Sequence, residues 1–326
     1  MVASPQTMTN PVSVCLPVYN GMPFLPAAVD SILENGYSEI QLVISLDNST
    51  DSSGGYVESL RDSRITVVHN QTGGLFNNLN NAIRSATHDL IQVFCQDDVM
   101  MPGYLQSQAS HFQEDPDLGV VLANCGKIFG DSGEVAVGDE PGEAGVLDRS
   151  VWLWKQANHG SVADSISCVM LNRAVLRDDC LFDDSYAVAG DVEFYNRIAL
   201  RYRMAYNGTR LFLNRSHPQQ ESRKWTSVLP YAKEERRIVA EHWARLLPGD
   251  VLKAVLRYRA EQRGALHVRS SVKMIASGHL STAVQVISEV LSTYGFKNLA
   301  LGSFAPRKYK PPSTSPHDFE VAGSKM

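Results

Sequence analysis

The chain reads as an α/β protein: a mainly parallel sheet flanked by helices, followed by a helical C-terminal extension. Three observations predict this. Through the first 125 residues, short β-branched runs alternate with stretches of helical period, which is the pattern of βαβ units. Three of those runs end abruptly, at Pro17, at Asp47 and at Asp97. Beyond Trp225 the composition shifts to Ala, Leu, Arg, Glu and Val, with few turn signals until Pro248.

Strands are expected at 12–16, 41–46, 65–69, 90–95 and 119–123. A helix over 23–35 follows from Leu25, Val29, Ile32 and Leu33 on one face, with Pro23 in its first turn and Gly36 as a left-handed stop. Leu75, Leu79, Ala82, Ile83 and Ala86 make a second stripe, and Pro102 opens a third helix carrying Leu105, Ala109 and Phe112. The Gly- and acid-rich stretch 126–143 reads as loop or irregular hairpin. A helix near 148–158 and a strand at 166–171 come next. A helix over 191–202 that buries Val192, Tyr195, Ile198 and Ala199 follows, then short strands at 204–206 and 211–213. Helices fill 227–293. The expected division is a tail at 1–11, an α/β domain at 12–226, a helical region at 227–305 and a mobile Pro- and Ser-rich tail at 306–326.

With 326 residues, 44% hydrophobic and 20% charged, the chain can bury a substantial core. A net charge of -5 gives no long-range attraction for nucleic acid, which is excluded as a partner. Cys15, Cys95, Cys125, Cys168 and Cys180 are odd in number and mostly lie in apolar runs, so they read as reduced core thiols of a cytoplasmic protein. The start lacks a signal-peptide pattern, and no apolar run approaches the ~20 residues needed to span a bilayer.

The segment VSVCLPVYNG is a strand that stops at Pro17 and delivers Tyr19 and Asn20 to the carboxyl edge of the sheet, where open α/β sheets bind nucleotides. The Tyr19 ring would pack on a base, and Gly21 would let the chain approach a ligand. In LVISLDNSTDSSGG, Asp47 stands at a strand tip. Its carboxylate suits the imide N–H of uracil or thymine, or else it forms an Asx-turn with Thr50 or Asp51 capping a helix. In LIQVFCQDDVMMPGYL an apolar strand runs straight into Asp97 and Asp98. Two adjacent acids repel unless a cation or ligand hydroxyls compensate, and Mg²⁺ or Mn²⁺ suits such a place.

Taken together, VSVCLPVYNG, LDNSTD about thirty residues later, and QDDVMMP resemble the nucleotide-binding half of family 2 glycosyltransferases, inverting enzymes of the GT-A fold. The likeness covers 12–112 and continues more weakly to His217. It implies that Pro17, Tyr19 and Asp47 contact the base, Asp97 the ribose, and Asp98 a divalent metal on the diphosphate of a nucleoside-diphosphate sugar, with UDP the expected carrier. Two departures stand out: Cys95 takes the first position of the family's Asp-x-Asp-Asp pattern, and Leu79 takes the place of an arginine beside Asn80.

The segment LFDDSYAVAGDVEFYNRIAL resembles the family's acceptor-facing acidic segment, with Asp191 as the matching general base. Inversion needs such a base opposite the leaving diphosphate. Asp183, Asp184 and Glu193 are alternatives, and Asp191 as a helix cap is the bland reading. His217, in FLNRSHPQQESRKW, would complete the metal shell as related enzymes do, Arg223 and Lys224 would neutralise the diphosphate, and Trp225 would lie against the acceptor. The extra Lys224 breaks the Gln-x-x-Arg-Trp signature of membrane-bound processive synthases, so a single transfer is expected. The acceptor, whether saccharide, lipid-linked glycan or small molecule, is open. So are a homo-oligomer and peripheral contact of the amphipathic helices with the inner face of a membrane. The rival readings are a nucleotidyltransferase, disfavoured because PVYNGMPF has no Lys or Arg, and a non-catalytic sugar-nucleotide-binding module.

Overall fold

The computed structural model describes residues 10–130, 133–137, 144–159, 161, 163, 165–179, 181–218, 220 and 224–303. Along the chain run β1 (Val12–Val18), α1 (Leu25–Leu33), β2 (Ile40–Leu46), α2 (Ser53–Ser59), β3 (Ile65–His69), α3 (Leu75–Ser85), β4 (Leu90–Val93), β5 (Val99–Met100), α4 (Tyr104–Glu114) and β6 (Leu118–Ala123). They are followed by β7 (Gly126–Phe129), β8 (Glu134–Ala136), β9 (Gly145–Leu147), α5 (Arg149–His159), β10 (Val169–Asn172), α6 (Gly190–Ala199), β11 (Arg203–Asn207) and β12 (Phe212–Ser216). The last helices are α7 (Val228–Ile238), α8 (Ala244–Leu246), α9 (Gly249–Arg259), α10 (Ala265–Ala276), α11 (Leu280–Tyr294) and α12 (Phe296–Ser303).

By packing, the chain forms two units, and the first comprises 1–147, 163–184 and 201–217. Its eight-stranded sheet has the order β3-β2-β1-β4-β10-β6-β11-β9, parallel from β3 to β4 and between β6 and β11, with β10 and β9 antiparallel to their neighbours. Every residue of β1 is buried, as a central strand covered on both faces requires. Val14, Leu16, Ile44, Phe94, Tyr104 and Phe212 belong to one core with the apolar faces of α1 and α4. A second sheet, β5-β12-β7-β8, pairs β7 with β8 inside the stretch expected as loop or irregular hairpin, of which 131–132 and 138–143 lie outside the described residues, and brings β12 antiparallel to β5.

Several local expectations are corrected. Residues 166–168 form a turn of 3₁₀ helix, because the Ser165 side chain accepts from the Ser167 N–H, and the strand starts only at Val169. The helix α2, which the sequence reading offered only as a helix capped by Thr50 or Asp51, buries only Ser53 and Val57 and so shows no apolar stripe. Ser52 holds the N-cap position without a side-chain bond, and Asp51 Oδ1 accepts from the Ser53 N–H at 2.9 Å, as one of those two alternatives had it.

The second unit comprises 148–162, 185–200 and 218–326. Helix α6 buries Val192, Tyr195, Ile198 and Ala199 as expected. A core of Ala232, Ala260, Met274, Ala283, Val286, Val290, Tyr294 and Leu299 holds the C-terminal helices together. A Cβ on Gly264 would stand 2.5 Å from Leu299 Cδ2, so only glycine admits α12 this closely. The apolar residues of 236–263 are packed, with Ile238, Trp243 and Val255 all buried, as in an ordinary globular helix. Exposed large apolar side chains lie later, among them Val272, Leu280, Val284 and Phe296. No described helix is long and apolar enough to cross a membrane.

Candidate active site

At the carboxyl edge of the first unit's sheet, the loops after β1 and β2 are laced together. Asn20 adopts a left-handed conformation (φ 48°), and its Oδ1 accepts from the N–H groups of Thr50 (2.7 Å) and Asp51 (3.3 Å). In return, the N–H groups of Asn20, Gly21 and Met22 donate to Ser49 Oγ, Ser53 Oγ and Asp51 Oδ2. Gln96 then grips Tyr19 from the next strand: its Oε1 accepts from the Tyr19 N–H at 2.9 Å, and its Nε2 donates to the Tyr19 carbonyl at 2.8 Å. Gly21 is required by this clamp, since a Cβ there would lie 2.6 Å from Gln96 Oε1. The close approach expected of Gly21 is therefore to Gln96. Pro17 is buried within β1, whereas Tyr19 is 54% exposed on the edge.

Beside this loop pair lies a cavity of about 370 Å³ lined by Leu46, Asp47, Asn48, Glu58, His69 and Asn70, among others. Asp47 is buried, and its Oδ1 accepts from the Asn48 N–H at 2.8 Å. Asn70 is also buried; its Oδ1 accepts from Thr72, while its Nδ2 has no hydrogen-bond partner among the described residues. A buried amide donor left unmet is costly, so this cavity suits a ligand that brings an acceptor. Asn70 was not singled out in the sequence; a polar residue directly after a strand was the available signal.

At the end of β4 the two acids diverge. Asp98 turns inward and is 1% exposed. Its Oδ2 accepts from Ser167 Oγ at 2.6 Å, and its Oδ1 accepts from the Arg215 N–H at 2.9 Å and from Asn214 Nδ2 at 3.2 Å. Burial first, and then the charge of Asp97, push the Asp98 carboxyl above the ordinary range, against the pull of these bonds. Asp97 turns outward, and its Oδ2 lies 2.8 Å from His217 Nε2. His217 packs on Phe24, with ring centroids 4.7 Å apart. Arg215, which the sequence reading did not weigh, braces the corner: Nε donates to the Asp97 carbonyl at 2.8 Å, and the guanidinium stacks over Phe24 at 4.7 Å.

Ligand atoms of Cys95, Asp97 and Asp98 lie within 4.8 Å of one another. Cys95 is half-buried at this rim, so it is not the core thiol expected, unlike Cys15, Cys125 and Cys168. The residues fit a divalent cation. The donor set supports this: two carboxylates and an imidazole at one rim are ligands that Mg²⁺ or Mn²⁺ accepts.

In the second unit, Asp191 is the second residue of α6 and half-buried, not its cap, which is Ala189. Its Oδ1 accepts from the Val192 N–H at 2.8 Å, and no basic side chain pairs with it among the described residues. Burial raises its carboxyl to about 6. Glu193, an alternative, is held by Arg197 at 2.5 Å and lies 3.5 Å from His242. Its burial opposes ionisation, but these two partners outweigh it and lower its pKa. Asp183 is half-buried and Asp184 exposed, both in the first unit. Lys224 is exposed before the turn Trp225–Ser227; Arg223 and the side chain of Trp225 lie outside the described residues.

A mainly parallel sheet with helices on its faces, acids at the carboxyl ends of β2 and β4, and a helical C-terminal region define a protein of the GT-A fold class. The structure resembles that of S. aureus TarS 1-349 in complex with UDP-GlcNAc, with a TM-score of 0.65 at 16% identity over 90% of this chain and 89% of that one. In sequence it is 34% identical over 117 residues to the uncharacterized glycosyltransferase EpsJ of Bacillus subtilis (strain 168), covering 35% of this chain and 33% of EpsJ. It is 24% identical over 216 residues to the glycosyltransferase GlyG of Streptococcus pneumoniae serotype 4, covering 60% of this chain and 71% of GlyG. The match thus spans about a third of the length of EpsJ. The family model for glycosyl transferase family 2 matches residues 13–178, about half of the chain, and the chain belongs to that family.

Proposed function

We propose that the chain is an inverting glycosyltransferase that moves one sugar from a nucleoside-diphosphate donor to an acceptor hydroxyl, with uracil as the preferred base. The observation that carries this reading is the carboxyl edge of the first unit's sheet, where Asp97 faces His217 beyond β4 and Asp47 and Asn70 line a cavity beyond β2 and β3. Asp47 would accept the imide N–H of the base and Asn70 Nδ2 would donate to a ring carbonyl, a pairing that adenine and cytosine do not match. Tyr19 would pack on the ring. A uridine donor is also what the TarS complex holds.

Asp97, expected from the resemblance at the ribose, and His217 would supply the exposed ligands of a divalent cation, Mg²⁺ or Mn²⁺, in place of the expected Asp98, whose buried oxygens already accept from Ser167, Asn214 and Arg215 and fix the rim beneath them. When bound, that cation stabilises the departing diphosphate. Asp191 would take the acceptor proton; with its carboxyl raised to about 6 it is ionised at neutral pH yet a stronger base than an ordinary aspartate. Such a base contributes about 10²–10⁴ in rate.

The test is a thermal-shift series on the full chain with UDP, GDP, CDP and ADP, each with and without Mn²⁺. UDP with Mn²⁺ is expected to stabilise the protein by about 2.7 kcal/mol at 100-fold excess over Kd, with little response to ADP and CDP. An equal response to all four, or none, would overturn the reading.

A further inference from the structure

We propose that Glu234, on α7, is the positioning residue for Asp191. The proposal rests on Asp191 as the general base and adds what holds it in place. Glu234 is 9% exposed, and its carboxylate is spent entirely on backbone. Oε1 accepts from the Ala187 N–H at 2.6 Å, and Oε2 accepts from the N–H groups of Val188 at 3.0 Å and Ala189 at 2.7 Å. No basic side chain forms an ion pair with it among the described residues. These three consecutive amides lead directly into α6, whose N-cap, Ala189, has no side-chain oxygen with which to cap.

Helix starts are ordinarily capped by a local Ser, Thr, Asp or Asn. Here the carboxylate comes from 45 residues further along the chain and takes the amides of the lead-in segment up to the N-cap residue, where a negative charge is also favoured by the macrodipole. One turn beyond Glu234, Arg237 donates to Ser185 Oγ at 2.6 Å and lies over the Tyr186 ring at 4.2 Å, so the same face of α7 holds the whole 185–189 segment.

Asp191 sits two residues after the last gripped amide, and among the described residues its carboxylate is met by local backbone N–H groups, Val192 above all. Its place is therefore set by its backbone, and its backbone by Glu234. The titratable groups that face Asp191 are Glu234 and Tyr231, both from α7. Glu234 adds a negative charge that, after burial, opposes ionisation of Asp191. This gives the C-terminal helices a part in the chemistry that the sequence left unassigned.

The experiment compares the full chain with Glu234→Ala, Glu234→Gln and Asp191→Asn. Hydrogen exchange of the amides at 187–192 and the carboxyl titration of Asp191 by ¹³C NMR need no substrate. Release of UDP from a panel of UDP-sugars with water as acceptor gives kcat and KM. Glu234→Ala is expected to speed exchange at 187–192 at least tenfold relative to α11 and to shift the Asp191 titration. It should lower kcat at least tenfold with KM within twofold. Glu234→Gln keeps one acceptor oxygen and should fall between, which also guards against a poorly folded Ala variant.

Unchanged exchange and an unchanged Asp191 titration in both Glu234 variants would overturn the proposal. If Asp191→Asn keeps full turnover while the Glu234 variants loosen 187–192, it is the base reading that fails, and with it the positioning role.

Discussion

Asp97 and Asp98 are adjacent in sequence and opposite in situation. Asp98 satisfies three donors from two segments and lies in the core of the rim; Asp97 keeps Oδ2 toward His217. Their variants should therefore separate. Asp98→Ala leaves buried donors unmet at about 1–3 kcal/mol each, so it is expected to lower Tm markedly with no ligand present. Asp97→Ala should leave Tm within a degree or two and abolish the stabilisation by UDP and Mn²⁺, both read by differential scanning fluorimetry. The pair of acids was legible in the sequence because strand and turn signals flank it. Which acid faces inward was not, since that depends on β12, whose residues lie more than a hundred positions later and include the unweighed Arg215.

The elements were legible wherever a periodic apolar stripe marked them, as in α1, α3 and α6, and the strands β1 to β4 fell within a few residues of expectation. They were missed where burial is slight or local hydrogen bonding competes. Helix α2 buries only two side chains, β5 is two residues long, and Ser165 bends 166–168 away from strand geometry. The loops at the rim owe their shape to side chains bonding across elements, which no single-segment pattern encodes. Their interlock predicts coupling between Gly21 and Gln96. Gly21→Ala should destabilise by about 1–3 kcal/mol through overpacking. Added to Gln96→Ala it should cost much less, because the truncated side chain clears the space; a double-mutant cycle in urea would measure the difference.

At the scale of the molecule, the second unit carries a buried charge pair in its helical core. Glu235 bonds Arg259, each 3% exposed, with His267 3.6 Å from Glu235 and the Arg259 guanidinium 4.8 Å from the centre of the Trp243 ring. Burial opposes the charge on Glu235, but Arg259 overcomes it and brings the carboxyl down to about 2. A carboxyl lowered on folding contributes stability that is present above its unfolded value of 4.5 and is lost as pH falls toward about 2. Glu235→Ala leaves Arg259 buried and unpaired, and is expected to cost about 3–5 kcal/mol at pH 7. That penalty should shrink steadily in acid, as followed by chemical denaturation between pH 3 and 7.

The half-buried sulfur of Cys95 turns the sheet's acidic edge into a spot that alkylating reagents can read. The three other described cysteines are buried, and Cys15, its thiol driven up to about 12 by burial, is poorly nucleophilic. Iodoacetamide should therefore mark Cys95 ahead of those three, and a cation with UDP seated over Asp97 should shield it. Peptide mass mapping of that footprint would report occupancy with no acceptor in hand.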